Sequence, residues 1–338
     1  MKKDFHKIPV TVITGFLGAG KTTLVRHLLE NNHGRRIALI INEFGDIGVD
    51  RELLRGCGTA GCQDGDIIEL ANGCLCCTVA DEFMPVMEQL AGRAVPPDHI
   101  IIETSGLALP KPLVKAFHWP EIRSRVTVDG VVAVIDATAV ESGRFEEATA
   151  TAGPDHDNPL EEVFTDQLLC ADMVLLNKAD LLDETALTRV AAGLTQRLRA
   201  GVKIIVTQHG RIDPDVLLGQ GMAAEDDVAA RPSHHDAENG EHDHDDFESF
   251  ALTLPVIGDP AVLEVRMVEA ARRHDILRIK GFLDIPGKAM RHVVQGVGTR
   301  FHRYYDRLWS ADEHRRSELV VIGLKGLDRE GITATIAG

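Results

Sequence analysis

One segment near the start of the chain restricts the fold more than any other. Residues 15–22 have the sequence Gly-Phe-Leu-Gly-Ala-Gly-Lys-Thr and match the pattern G-x-x-x-x-G-K-[ST], whose glycines let backbone N–H groups surround phosphate oxygens. The apolar run Val10 to Ile13 precedes it, and Thr23 to Leu29 has the pattern of a helix. This strand–loop–helix context predicts a phosphate-binding loop, or P-loop, and therefore a bound nucleoside triphosphate.

The residues of this loop have separate expected roles. Lys21 is expected to reach the β- and γ-phosphates, and Thr22 is expected to bind Mg²⁺. The remaining positions contact the nucleotide mainly through backbone N–H groups. The candidate nucleotide-binding residues in this segment are Gly15, Gly18, Ala19, Gly20, Lys21, Thr22 and Thr23.

Short apolar runs recur along the first two thirds of the chain. They are Ile37 to Ile41, His99 to Ile102, Val131 to Ile135, Met173 to Leu176 and Val202 to Thr207. Amphipathic segments separate them, which is typical of a parallel sheet covered by helices on both faces. We therefore predict an α/β fold with a mostly parallel sheet, whose ligands bind at the carboxyl ends of the strands.

The composition changes sharply after Met222. We predict a nucleotide-binding domain at 1–222, an acidic and His-rich linker at 223–247, and a smaller α+β domain at 248–338. In the last part, 250–254, 276–283, 290–297 and 319–324 have strand patterns, and Pro260 to His274 is amphipathic, as a helix would be. The histidines of the linker either collect metal weakly or belong to a solvated acidic spacer.

Charge and hydropathy exclude two classes of partner. A net charge of −16 disfavours a nucleic-acid surface, which requires a clustered basic face. No apolar run approaches the roughly 18 residues of a membrane-spanning helix, and the basic first residues are not followed by the apolar core of a signal peptide. The sequence therefore predicts a cytoplasmic protein whose 6 cysteines stay reduced.

The choice of base depends on Asn177-Lys178-Ala179-Asp180, which has the form NKxD after an apolar run. The Asp180 carboxylate can accept hydrogen bonds from guanine N1–H and from the exocyclic amine, a donor pair that adenine lacks. The segment therefore favours GTP over ATP, with Asn177, Lys178 and Asp180 as candidate nucleotide-binding residues. In the alternative, Asp180 or Asn177 caps the helix that follows.

A second acidic segment, Glu103-Thr104-Ser105-Gly106, follows the apolar run at 99–102. Glu103 can hold the water shell of Mg²⁺, and Gly106 can move when the γ-phosphate is lost. The alternative is a carboxylate at a strand end that caps a helix. Glu43 and Asp46 follow the second strand and can complete the Mg²⁺ site or form a second metal site.

Three thiols fall within four residues at Cys74-Leu75-Cys76-Cys77. Thiolates suit Zn²⁺, Cu⁺ or Co²⁺, and three local ligands leave one coordination position open for a metal that is handed on. A redox or purely structural role is the alternative. Cys57 and Cys62 are interpreted as ordinary loop cysteines, with a second metal site as the alternative, and Cys170 as a core residue.

Together these residues resemble the CobW family of P-loop GTPases. The resemblance rests on the segments 15–23, 42–45, 74–77, 103–106 and 177–180, on the His-rich stretch and on the C-terminal α+β region. Within the family, residues 64–73 are most similar to the branch from aerobic cobalamin biosynthesis. Zinc-handling relatives share every one of these motifs.

The resemblance implies a metallochaperone that hydrolyses GTP slowly and uses it as a switch. It implies delivery of Co²⁺ to the aerobic cobaltochelatase, with zinc storage or transfer as the alternative, and it leaves open a homodimer that depends on nucleotide or metal. The implied catalytic residues are Lys21 and Glu103. The implied ligands are Cys74, Cys76, Cys77 and Glu43 for Co²⁺ or Zn²⁺, and Thr22, Asp46 and Glu103 for Mg²⁺.

Overall fold

The chain divides into two units in a computed structural model. The first lies within Met1–Glu43 and Leu54–Glu241, and the second within Phe44–Leu53 and His242–Gly338. The structure describes residues 7–42, 66–70, 83–145, 159–233, 247–274, 276–310 and 313–338. In these ranges, no helix combines the length and apolar character that crossing a bilayer requires.

The first unit is built on a seven-stranded sheet in which every neighbouring pair is parallel. Its strands are β1 Ile8–Thr14, β2 Ile37–Asn42, β3 Ile67–Leu70, β4 His99–Glu103, β5 Val126–Asp136, β6 Met173–Asn177 and β7 Lys203–Val206. Their order is β3-β2-β4-β1-β5-β6-β7. The predicted α/β class is confirmed, whereas the four-residue strand β3 was not predicted.

Helices cover this sheet on two faces, since successive side chains of its strands belong to two different buried clusters. Ala38 and Ile40 belong to one buried cluster, while Leu39 and Ile41 belong to another, because successive side chains of a strand point to opposite faces. The helices of this unit are α1 Lys21–Glu30, α2 Met84–Ala91, α3 Pro110–Ala116, α4 Ala137–Glu141, α5 Pro159–Cys170, α6 Glu184–Arg197, α7 Pro214–Leu217 and α8 Ala224–Asp227. Short 3₁₀ turns lie at Ala179–Leu181 and Val228–Ala230.

The second unit is the predicted α+β structure. Its elements are β8 Phe247–Leu254, α9 Pro260–Arg273, β9 Ile276–Leu283, β10 Met290–Val297, β11 Arg300–Leu308, β12 Ser317–Leu324 and α10 Arg329–Ala337. The strands form an antiparallel sheet in the order β11-β10-β9-β12-β8. The helices α9 and α10 contribute Met267 and Ile336 to one core with Ile279 and Val321 of the sheet. β11 was missed because polar and charged residues dominate its sequence.

The segment 223–233 differs from the linker predicted there. Ala224 and Val228, four residues apart, are fully buried in a core cluster of the first unit. Arg231 donates to Asp172 at 2.8 Å, and both side chains are almost completely buried. The buried apolar side chains and this ion pair are among the contacts that order a segment which the composition alone marks as solvated. The His-rich residues 234–246 lie outside the described residues, and the domain limits stay a prediction.

Three buried polar side chains lie together at the centre of the parallel sheet of the first unit. Thr11 Oγ1 lies 2.8 Å from His99 Nε2 and donates to Asp129 Oδ2 at 3.5 Å. Asp129 sits at an irregularity in the β1–β5 pairing and accepts hydrogen bonds from the backbone N–H groups of Gly219 and Gly221. Burial lowers the pKa of the His99 imidazole from 6.5 to about 4, although the nearby negative charge of Asp129 opposes the change. His99 is therefore neutral in the folded protein at neutral pH.

This depressed pKa predicts a loss of stability in mild acid. Between pH 6.5 and pH 4, His99 binds a proton in the unfolded chain but not in the folded protein. The stability that neutral His99 contributes is therefore fully present above pH 6.5 and is lost as the pH falls towards 4. From pH 7 to pH 5 the free energy of unfolding should drop by roughly 2 kcal/mol through this residue. Urea unfolding at each pH measures this drop in the free energy of unfolding. The Trp309→Phe protein is used because its one remaining tryptophan, Trp119, reports on the first unit.

The control separates His99 from other titrating groups. In the same background, His99→Gln should show a pH dependence between pH 7 and pH 5 that is shallower by this amount, whereas exposed His314→Gln should follow the parent. Parallel curves for His99→Gln and its parent would contradict the prediction.

Candidate nucleotide-binding site

The loop between β1 and α1 adopts the conformation that its glycines permit. Gly15, Gly18 and Gly20 have φ values of 133°, 75° and 107°, in the region that residues with a side chain rarely adopt. A Cβ atom on Gly15 would lie 2.1 Å from the carbonyl oxygen of Val134 in β5. The loop is therefore pressed against the neighbouring strand, and its backbone lines the start of helix α1.

Lys21 is the first residue of α1, and its side chain is only 5% exposed. Its ammonium group donates to the carbonyl oxygen of Gly15 at 2.8 Å and to that of Phe16 at 3.4 Å. The positive charge is thus held across the loop, beside the positive end of the α1 dipole. This arrangement suits an anion with several negative oxygens.

Thr22 and Glu103 meet although 81 residues separate them in sequence. Thr22 Oγ1 donates to Glu103 Oε1 at 2.7 Å. Glu103 is the last residue of β4, pairs in register with Ile13 of β1, and is 3% exposed. A hydroxyl and a carboxylate are the hard oxygen donors that Mg²⁺ prefers, so the donor set fits this ion. The alternative of a helix cap is not observed, since Leu109 precedes α3 with no side-chain cap bond.

The loop after Glu103, residues 104–109, contacts the P-loop directly. A Cβ atom on Gly106 would lie 2.4 Å from Leu17 Cδ2 and 2.7 Å from the Leu17 backbone nitrogen. Thr104 Oγ1 donates to Thr14 Oγ1 at 3.1 Å, next to the first P-loop glycine. A glycine is therefore required at 106 because two backbone segments approach each other closely.

Asn177 and Lys178 both form hydrogen bonds to other parts of this site. Asn177 Nδ2 donates to the carbonyl oxygen of Ala19 at 2.9 Å, and its Oδ1 accepts from the Gly210 N–H at 3.0 Å. Lys178 has a left-handed backbone, and its ammonium donates to Asp136 Oδ2 at 2.7 Å. The amide thus connects the P-loop to the loop that follows β7.

Asp180, the last residue of this motif, is partly exposed to solvent. Its side chain is 27% exposed, and its Oδ2 lies 3.9 Å from His209 Nε2. The helix α6 is capped by Asp183, which accepts from the Ala186 N–H at 2.8 Å, so the alternative cap role of Asp180 or Asn177 at this helix is not observed. A partly exposed carboxylate at the edge of the P-loop region suits recognition of N–H donors.

The loop after β7 also borders this site, although its sequence did not predict it. His209 and Gly210 both have positive φ values, and a Cβ atom on Gly210 would lie 2.9 Å from the Leu24 backbone nitrogen in α1. His27 Nε2 lies 2.8 Å from the carbonyl oxygen of Ile212. The available signal was a glycine soon after an apolar strand, in Thr207-Gln208-His209-Gly210.

Of the remaining residues singled out from the sequence, Thr23 and Cys170 belong to the described part of the chain. Thr23 is exposed in the first turn of α1. The predicted metal ligands Glu43, Asp46, Cys74, Cys76 and Cys77 lie outside the described residues, as do Cys57 and Cys62. Cys170 is a core residue, as predicted, and burial raises the pKa of its thiol to about 11.

An exposed cluster of three side chains on the first unit has the residue types of a metal site, but one of its carboxylates already pairs with an arginine. His33, Asp213 and Asp215 place potential ligand atoms within 4.8 Å of one another. Arg35 donates to Asp215 at 2.5 Å, and this hydrogen bond is the main cause of the lowered pKa of that carboxyl. Because a guanidinium already neutralises Asp215, we do not assign a metal to this group.

Two sequence families account for most of the chain. Residues 9–206 match the nucleotide-binding domain of CobW, HypB and UreG. The chain belongs to the CobW/HypB/UreG family. Residues 247–338 of this CobW-family chain match the cobalamin synthesis protein cobW C-terminal domain. The family is one of P-loop GTPases, in agreement with the loop geometry of residues 15–22.

Several relatives match this CobW-family chain over nearly its whole length. A protein named zinc chaperone CobW from Sinorhizobium sp is 52% identical over 98% of this chain and 96% of the relative. One of the same name from Pseudomonas aeruginosa is 53% identical over 98% of this chain and 91% of the relative. A zinc-bound crystal structure of the YjiA GTPase from Escherichia coli is 29% identical, with 98% of this chain and 99% of that one covered and a TM-score of 0.46.

Proposed function

We propose that this protein is a metallochaperone whose binding and hydrolysis of GTP control the loading and release of a transition metal. The observation that carries the nucleotide part is the 2.7 Å contact of Thr22 with Glu103, beside the buried ammonium of Lys21. The metal part rests on the sequence of the cysteine segment and on family membership.

The described residues supply what phosphoryl transfer requires. In hydrolysis, a water oxygen bonds to the γ-phosphorus while the bond to the β–γ bridging oxygen breaks, so negative charge grows on that leaving oxygen. Lys21 stabilises the charge, and the P-loop N–H groups orient the phosphates. Bound Mg²⁺ would neutralise phosphate charge, held by Thr22 and by Glu103 through its water shell. Asp180 would select guanine.

The topology supports a link between the nucleotide and the cysteine segment. β3 and β2 are parallel to β4, so Leu70, Asn42 and Glu103 end their strands at the same edge of the sheet. Glu43 follows Asn42 directly, and Cys74 follows Leu70 by four residues. Since neighbouring strands are about 4.8 Å apart, the chain leaves the sheet towards the cysteines roughly 10 Å from the strand of Glu103.

The two candidate metals have different support. The proteins that are 52% and 53% identical are both named zinc chaperones, which favours Zn²⁺ as cargo. Co²⁺ delivered to the aerobic cobaltochelatase is the second candidate, and the match of residues 247–338 to a cobalamin synthesis domain favours it. Cys74, Cys76, Cys77 and Glu43 are the proposed ligands for either ion, with Asp46 proposed for Mg²⁺. A cytoplasmic location and a nucleotide- or metal-dependent homodimer remain predictions.

A metal competition assay tests the proposal. With Mg²⁺ and a non-hydrolysable GTP analogue, Zn²⁺ or Co²⁺ should bind at least about tenfold tighter than with Mg²⁺ and GDP, which corresponds to a coupling free energy within the usual range. Bound Co²⁺ should show thiolate charge-transfer absorption, and affinity should rise with pH because thiols must lose protons. Competition at equal free concentration shows which ion the site binds more tightly, and a Co²⁺ preference would be informative because Zn²⁺ outcompetes Co²⁺ at most sites.

Two double variants provide the control. Cys76→Ser with Cys77→Ser should abolish the charge-transfer band, whereas Cys57→Ser with Cys62→Ser should keep it. Equal metal affinity in the GTP-analogue and GDP states would remove the switch from the proposed function. Retention of the band in the first double variant would remove the cysteine site.

A further inference from the structure

A glutamine of α5 holds the loop that follows Glu103. Gln167 is fully buried, and its Nε2 donates to the carbonyl oxygens of Gly106 and Ala108, both at 3.2 Å. Within the described residues, its Oε1 has no hydrogen-bond partner. Only the amino end of the amide can face two carbonyl oxygens, so the loop itself fixes the orientation of this side chain.

The loop held in this way touches the P-loop on its other side. Gly106 approaches the Leu17 backbone so closely that a Cβ atom would clash, while its carbonyl oxygen accepts from Gln167. A single residue is therefore fixed between the phosphate-binding loop and α5. The orientation of the peptide unit after Gly106 depends on Gln167, and Glu103 is only three residues earlier in the same segment.

Aromatic side chains hold α5 in place for this contact. Phe164, one turn before Gln167, stacks on Phe145 with a centroid distance of 4.1 Å and an interplanar angle of 1°. Phe145 in turn meets Phe16 of the P-loop edge-on at 5.1 Å. The segment of α5 that carries Gln167 is thus connected to the P-loop by ring contacts and to residues 104–109 by hydrogen bonds. The position of this segment therefore depends on both the P-loop and residues 104–109.

We propose that Gln167 is a positioning residue for GTP hydrolysis: its two hydrogen bonds fix residues 104–109 against the P-loop so that this segment responds to the γ-phosphate. This inference rests on the proposed GTPase function and adds a residue outside the nucleotide-binding motifs. Gln167 does not touch the nucleotide, so it acts through the Gly106 and Ala108 carbonyl groups. Its removal should affect the triphosphate state far more than the diphosphate state.

The test is Gln167→Glu, which keeps the shape of the side chain and replaces the two amide donors by a carboxyl group. An ionised carboxylate cannot donate, and a protonated carboxyl group at this fully buried position donates only one hydrogen bond, so at least one of the two contacts is lost in either state. We expect single-turnover GTP hydrolysis with Mg²⁺ to slow by about 10- to 100-fold, less than the roughly 10²- to 10³-fold lost with a donor that contacts the transition state itself, because Gln167 acts indirectly. GDP affinity should stay within about threefold, and hydrogen exchange of residues 104–109 should accelerate. Gln196→Glu, the same change at an exposed position of α6, should alter none of these quantities.

The outcomes separate this proposal from the proposed function. If the parent protein neither binds nor hydrolyses GTP, the proposed function fails, while the exchange rate of residues 104–109 still tests the positioning role. If Gln167→Glu leaves both hydrolysis and exchange within about twofold of the parent, Gln167 has no positioning role. Equal losses of GDP and GTP-analogue affinity would mean a general structural role and would also overturn the proposal. Gln167→Met, which is uncharged and lacks donors, gives the same readouts if the glutamate variant does not fold.

Discussion

Replacement of Lys21 by methionine is expected to lower the rate of GTP hydrolysis by about 10²- to 10³-fold. Methionine keeps the length and flexibility of the side chain but removes the ammonium that lies 2.8 Å from the Gly15 carbonyl oxygen. A preorganised charge in a shielded site contributes far more to charge development on phosphate oxygens than the same charge in water. Single-turnover hydrolysis with Mg²⁺ measures the loss.

The split between rate and binding is the informative part of this experiment. The ammonium is expected to act most strongly as charge moves onto the β–γ bridging oxygen, so the rate should fall more than the affinity for GDP falls. Lys115→Met makes the same chemical change at an exposed position of α3 and should leave both quantities unchanged. A Lys21→Met protein that hydrolyses GTP at the parental rate would remove this residue from the catalytic machinery.

The two sheets differ in how much of them could be predicted from sequence. Strands β2, β4 and β6 of the parallel sheet are continuous apolar runs, because parallel sheets covered on both faces bury nearly every side chain. Strand β11 escaped prediction because Arg300–Leu308 pairs only with β10 at the edge of its sheet and carries polar side chains. Edge strands need less apolar surface, so hydrophobic patterning detects them poorly.

Local composition also failed to indicate the packing of residues 223–233. The acidic residues after Met222 predicted a solvated linker, yet Ala224 and Val228 are fully buried, and Arg231 pairs with Asp172. Partners that are distant in sequence hold this segment, among them Asp172, which lies 59 residues before Arg231. Composition averages over a window and cannot register one buried ion pair with a distant residue.

In the site, the motifs predicted which residues come together, but not every role. The contact of Thr22 with Glu103 follows from a P-loop and a strand-end carboxylate on neighbouring parallel strands. Asn177 stays a predicted nucleotide-binding residue, and the structure adds that its amide connects Ala19 to Gly210. The role of Gln167 was invisible in sequence because it depends on which carbonyl groups α5 faces after folding. Long-range partners of polar side chains are set by tertiary packing, and no local pattern encodes them.

The base preference should change when Asp180 is replaced by asparagine. The carboxylate can accept from both guanine N1–H and the exocyclic amine, whereas an amide offers one donor and one acceptor. Xanthine has a carbonyl oxygen in place of that amine, so an amide matches it and a carboxylate repels it. We expect GTP affinity to fall by about 100-fold and XTP affinity to rise by a similar factor, because a mismatched charged hydrogen bond costs about 1.5–3 kcal/mol.

Competition between GTP and XTP for the parent protein and the variant measures the change directly. Asp226→Asn, the same substitution at an exposed position of α8, should leave the preference for GTP intact. The Asp180 side chain is partly exposed, and Asn177 holds the strand end that precedes it. The substitution should therefore act only at the base-binding position, and thermal stability should be nearly unchanged. If GTP and XTP affinities are unaltered in Asp180→Asn, guanine is not read by this carboxylate. A parallel fall in both affinities would instead mean that the P-loop had been disturbed. Loss of guanine recognition alone cannot weaken the binding of XTP, whose base the new amide matches.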